Sequence, residues 1–141
     1  MTGWFGYARP RKPPQIAVPE YTRTVGGDTT TVLVVDDDPS LRLLCRVNLE
    51  LEGYSVVEAG TVQEAEQALE QGAVDVILLD LHLGNEQGIA LVPKIQERGL
   101  GASMALLTGS PGSRLPEGAT VIPKPFGIDE LTGTVRRLAT P

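Results

Sequence analysis

Four short runs of apolar residues recur along this chain, and each ends on a reactive polar side chain. Val32-Leu33-Val34-Val35 leads into Asp36-Asp37-Asp38, and Val76-Ile77-Leu78-Leu79 leads into Asp80. Met104-Ala105-Leu106-Leu107 leads into Thr108, and Val121-Ile122-Pro123 leads into Lys124. Continuous apolar runs of this length predict buried parallel strands, which need helices over both faces. Tyr54-Ser55-Val56-Val57-Glu58-Ala59 predicts one more strand, second in chain order.

Helical spacing fills the intervals. Asp38 predicts an N-cap with Pro39 at the first helical position, and Leu41, Leu44, Cys45 and Leu49 then recur until Gly53 stops the helix. Thr61 and Glu64 form a T-x-x-E capping box for a helix whose inner face is Ala65, Ala68 and Leu69. Ile89, Leu91, Val92 and Ile95 predict a third helix, with Pro93 near its start or at a kink. A last helix runs from about Ile128 to Leu138. The interval between Thr108 and the final strand is different. Gly109-Ser110-Pro111-Gly112-Ser113-Arg114-Leu115-Pro116-Glu117-Gly118 supports no more than a turn or loop around Leu115, so the fourth helix is short or absent.

Right-handed crossovers with a single reversal of strand order give a doubly wound α/β fold, a five-stranded parallel sheet in the order 2-1-3-4-5. Functional groups gather at the carboxyl ends of such strands. Asp36, Asp37, Asp80, Thr108 and Lys124 then share one end of the sheet. Three carboxylates against one ammonium repel one another, which predicts a raised carboxylate pKa until a divalent cation balances the charge. Hard oxygen ligands point to Mg²⁺, with Mn²⁺ as the other candidate. Asp80, with no second residue to activate a water, is cast as a carboxylate nucleophile forming an aspartyl phosphate. The metal and Lys124 neutralise charge on the transferring phosphoryl group, and the Thr108 hydroxyl hydrogen-bonds one of its oxygens.

The length of 141 residues fits one domain, and 41% apolar with 21% charged residues is ordinary for a soluble globular chain. No stretch approaches a membrane span or a signal core, so a cytoplasmic location is expected. The single cysteine, Cys45, excludes an intramolecular disulfide and a cysteine-based zinc site, and reads as a small buried helix residue. Residues 1–30 read as an arm interrupted by Pro10, Pro13, Pro14 and Pro19, with Val25-Gly26-Gly27-Asp28 as a flexible joint. The arm holds four of the six aromatics (Trp4, Phe5, Tyr7 and Tyr21) and four of the 12 basic residues, but two of the 18 acidic ones. Residues 31–141 therefore keep 8 basic and 16 acidic side chains, a net of −8 that argues against nucleic-acid binding.

Val34-Val35-Asp36-Asp37, Leu78-Leu79-Asp80-Leu81, Leu107-Thr108-Gly109 and Lys124-Pro125-Phe126 together resemble the response-regulator receiver domain of two-component signalling, over residues 31–141. The resemblance implies a flavodoxin-like (CheY-like) fold and phosphorylation by a sensor histidine kinase or histidine phosphotransfer protein. It casts Asp80 as the phosphoacceptor and Asp36 and Asp37 as the acidic pair at the metal. It casts His82 as a metal ligand through its backbone carbonyl, Thr108 as the switch hydroxyl and Lys124 as the phosphate-binding lysine. Lys124-Pro125 is the family's usual place for a cis peptide, consistent with proline's weak trans preference.

Three departures stand out. Val121 occupies the place of the family's aromatic switch residue, the Thr108–Lys124 interval is short by about one and a half helical turns, and Gly84 replaces a common proline. With the chain ending after the last helix, the implied protein is a single-domain regulator signalling through a downstream protein target, its oligomeric state open. A phosphorylation-independent pseudo-receiver is the alternative. A haloacid-dehalogenase-type phosphatase, suggested by Asp36-Asp37-Asp38, would require a carboxylate pair on a later strand and a substrate cap, whereas Asp129-Glu130 falls in the predicted final helix and no segment has room for a cap.

Overall fold

The computed structural model describes residues 29–84, 86–98, 101–109, 115 and 118–140. In chain order the main elements are β1 (Thr31–Val35), α1 (Pro39–Leu51), β2 (Ser55–Ala59), α2 (Val62–Gln71) and β3 (Val76–Asp80). A two-stranded hairpin, β4 (His82–Leu83) and β5 (Glu86–Gln87), then leads through a 3₁₀ turn (Gly88–Leu91) into α3 (Val92–Arg98). β6 (Ser103–Thr108), β7 (Thr120–Pro123) and α4 (Ile128–Ala139) complete the fold.

The large sheet has the order β2-β1-β3-β6-β7, with every pairing parallel. Setting the small hairpin aside, this is the predicted 2-1-3-4-5 order. Its register places Val35 beside Leu79, Asp80 beside Leu107 and Thr108 beside Pro123, so the strands end at one rim.

Strand alternation divides the core in two. Val32, Val34, Val76, Leu78, Ala105, Leu107 and Ile122 face Cys45 and Leu49 of α1 and Leu131 and Val135 of α4. Leu33, Val35, Ile77, Leu79 and Leu106 face Ala65 of α2 and Val92 and Ile95 of α3. Burying one such large aliphatic side chain stabilises the fold by about 1.5–3 kcal/mol. Both sheet faces are therefore dry, as unbroken apolar strands require.

The caps match their chemistry. Asp38 accepts hydrogen bonds from the Ser40 and Leu41 N–H groups, with Pro39 opening α1. The Thr61 hydroxyl accepts from Glu64 N, while the Glu64 carboxylate reaches back to Gly60 N rather than to Thr61. Pro93 is the second residue of α3, where its missing N–H costs nothing. Pro123 lies on edge strand β7, and Lys124-Pro125 is cis.

Some expectations need adjustment. Tyr54 is buried but precedes β2, and Leu44 lies on the outer side of α1, while Leu41, Cys45 and Leu49 turn inward. Among the described residues no helix joins β6 to β7. Leu115 and Ala119 pack partly buried against the α2–α3 side of the core, and most of the 109–118 interval lies outside the described residues, as do 1–28. No helix among the described residues is long and apolar enough to cross a membrane.

Candidate functional site

β1 delivers Asp36 and Asp37, β3 delivers Asp80, β6 ends on Thr108, and Lys124 follows β7. The fold thus places all the predicted side-chain positions at one rim. Asp36 and Asp80 are buried, Asp37 is exposed, and each offers a carboxylate oxygen within 4.8 Å of the others. The Lys124 ammonium donates to Asp36 Oδ2 at 2.9 Å and lies 3.4 Å from Asp80 Oδ1.

Backbone groups fix this cluster. Lys124 N donates to the Thr108 carbonyl at 2.7 Å, and Leu81 N to the Leu107 carbonyl at 3.1 Å, which ties β3, β6 and the Lys124 turn together. Asp36 Oδ1 accepts from Asp38 N at 2.9 Å, and Asp80 Oδ1 accepts from His82 N at 3.2 Å. The His82 side chain is exposed.

Burial pushes the Asp80 pKa above the usual carboxylate value. The His82 N–H opposes that shift, the charge of Asp36 adds to it, and Lys124 offsets it. The expected direction holds, although desolvation outweighs repulsion between carboxylates as the cause. Burial acts against the Lys124 ammonium too. The hydrogen bond and charge of Asp36, followed by those of Asp80, more than compensate and raise its pKa.

Two supporting roles, those of Arg42 and Gly84, escaped the sequence reading. Arg42, at the end of the first turn of α1, donates to the Asp36 carbonyl at 2.6 Å and to Glu58 Oε1 at 3.0 Å, bracing the acidic loop against β2. A Cβ at Gly60 would come within 2.9 Å of that guanidinium, so the glycine leaves room for it. Gly84 has φ +60° and donates to Asp37 Oδ2 at 2.9 Å. That left-handed conformation suits glycine and lets the β4–β5 hairpin hold the exposed carboxylate. In that hairpin His82 pairs with Gln87 and Leu83 with Glu86. An arginine four residues after the Asp38 cap and a glycine four after Asp80 were the available signals.

Three hard carboxylate oxygens, with a net deficit of positive charge, form a donor set suited to a small divalent cation. A family model of the response regulator receiver domain matches residues 32–136. The chain belongs to the response-regulator receiver family. The transcriptional regulatory protein TrcR of Mycobacterium tuberculosis is 30% identical over 146 aligned positions, covering 98% of this chain and 57% of that protein. KdpE, a transcriptional regulatory protein of the same species, is 36% identical over 114 positions, covering 76% of this chain and 50% of KdpE. The receiver thus spans about half the length of these curated relatives. Among solved structures, the response regulator TrrA of Thermotoga maritima in complex with Mg²⁺ and BeF superposes with a TM-score of 0.69 at 30% identity, covering 78% of this chain and 99% of TrrA.

Proposed function

We propose that this receiver accepts a phosphoryl group on Asp80 from a histidine of a sensor kinase or phosphotransfer protein and signals by altered protein contacts. The observation that carries the reading is Asp80 itself, a buried carboxylate clustered with Asp36 and Asp37 and 3.4 Å from the Lys124 ammonium. An Asp80 oxygen attacks phosphorus, a P–O bond forms, and the P–N bond breaks as the donor imidazole leaves with the electron pair. Lys124 neutralises charge on the phosphoryl oxygens, and the Thr108 hydroxyl hydrogen-bonds one of them. Mg²⁺, or Mn²⁺ in its place, supplies further neutralisation of those oxygens when bound. Asp36, Asp37 and Asp80, with the His82 backbone carbonyl, are the ligands this reading assigns to it.

In this reading residues 31–141 are the signalling unit, residues 1–30 an accessory arm, and the setting cytoplasmic. The second reading, a phosphorylation-independent binding module, draws on Val121. This half-buried aliphatic residue of β7 offers no aromatic ring to change position.

Intact mass after incubation with Mg²⁺ and phosphoramidate separates the two. One added phosphoryl group is expected, lost in Asp80→Asn and when the metal is chelated. No mass gain in the wild-type chain with Mg²⁺ present would favour the binding module.

A further inference from the structure

Helix α1 is apolar on two sides. Leu41, Cys45 and Leu49 enter the core, yet Leu43, Leu44, Val47 and Leu51 remain 57%, 42%, 47% and 69% exposed. At 3.6 residues per turn these four fall within an arc of about 100°, and Leu43 to Leu51 spans about 12 Å. They form one continuous stripe. The neighbouring polar side chains turn away from it: Arg42 and Arg46 pair with Glu58, and the Asn48 amide donates to the Leu44 carbonyl at 2.8 Å. A soluble helix normally directs such a face toward another apolar surface.

Residues 1–28 supply a fitting occupant. The chain enters the fold beside the last turn of α1, because the Thr30 carbonyl accepts from Ser55 N at 2.9 Å and Tyr54 N donates to the Leu49 carbonyl at 3.1 Å. Leu51 is therefore close to the point where the segment joins. At about 3.3 Å per extended residue, 28 residues can reach well past the far end of the stripe. The segment carries Trp4, Phe5, Tyr7, Ile16, Val18 and Tyr21 as apolar anchors. Its basic excess opposes the acidic balance of the domain, and exposed Glu50 borders the stripe.

We infer that residues 1–28 lie back along α1 and cover the Leu43–Leu44–Val47–Leu51 stripe with aromatic side chains. The stripe begins on the turn after the Asp38 cap, immediately beyond the acidic loop. A docked segment therefore competes with any protein that approaches the site across α1. This inference goes beyond phosphorylation of Asp80 and does not depend on it.

Trp4 is the chain's single tryptophan, so its fluorescence reports the contact directly. In the full chain its emission is expected at shorter wavelength than in the urea-unfolded chain, with weaker acrylamide quenching, at every protein concentration. The Leu43→Ser/Val47→Ser variant, which alters only exposed positions, should lose the blue shift while retaining a cooperative melt by circular dichroism. Leu51→Lys should act alike by repelling the basic segment. Wild-type emission already at the unfolded position overturns the inference. So does a blue shift that persists in both variants. A shift that vanishes on dilution also overturns it, placing a second copy on the stripe instead.

Discussion

The Lys124 ammonium sits 2.9 Å from the Asp36 carboxylate, nearer than its 3.4 Å approach to Asp80, although 88 positions separate Lys124 and Asp36 in the chain. The lysine therefore does two things: it partly balances a buried acidic cluster and it stands beside the proposed acceptor. Lys124→Ala should separate them. Removing the cation leaves Asp36 buried with less compensation, a loss of about 1–3 kcal/mol in urea unfolding. Mg²⁺ should recover more stability in this variant than in wild type, because the site is then more negative. The variant should nevertheless fail to respond to beryllofluoride. Equal Mg²⁺ stabilisation in the two proteins would contradict this division of roles.

Arg42 braces the acidic loop from outside, so its removal should be felt at the site without touching the side chain of a proposed metal ligand. Arg42→Ala loses hydrogen bonds to the Asp36 carbonyl and to Glu58 and should cost about 1–2 kcal/mol. Mg²⁺ affinity, read by titration of amide shifts, should fall with it. Arg42→Lys should rescue little, since an ammonium lacks the planar fork that spans both acceptors. Full rescue by lysine would show that charge alone suffices.

Cys45 provides a pH signature. Burial, with the charge of Asp36 next in weight, pushes its thiol from 9.0 to about 12. Between those values the unfolded thiol ionises while the folded one keeps its proton, so the unfolded state binds fewer protons and stability falls as pH rises. Comparing urea midpoints of wild type and Cys45→Ala from pH 8 upward should show the steeper decline in wild type above about pH 9. Parallel declines would contradict the assignment. Alkylation of the native protein at pH 8 should be slow and limited by opening of the fold.

Strand order and the convergence of Asp36, Asp37, Asp80 and Lys124 were legible because both follow from local signals: unbroken apolar runs fix parallel strands, and the strand ends fix the rim. The caps at Asp38 and Thr61 were legible for the same reason. Contacts made across the fold were not. Arg42 reaches Glu58, and Gly84 reaches Asp37 across 47 positions, and neither pairing has a periodicity to reveal it. Leu44 illustrates a different limit. Its spacing suits either side of α1, and the space beneath the helix is taken by Leu41, Cys45 and Leu49. The hairpin of His82–Leu83 with Glu86–Gln87 is too short for alternation to announce it.

This rim is proposed to bind a divalent cation and then to hold a phosphoryl group on Asp80. An amide ¹H–¹⁵N NMR titration with Mg²⁺, followed by beryllofluoride, tests it most directly. Mg²⁺ shifts are expected at Asp36, Asp37 and Asp80, followed by a second set with beryllofluoride that includes Thr108 and Lys124 and spreads to one surface. Shifts with Mg²⁺ but none with beryllofluoride would contradict phosphoryl acceptance, and silence toward both would contradict the site itself.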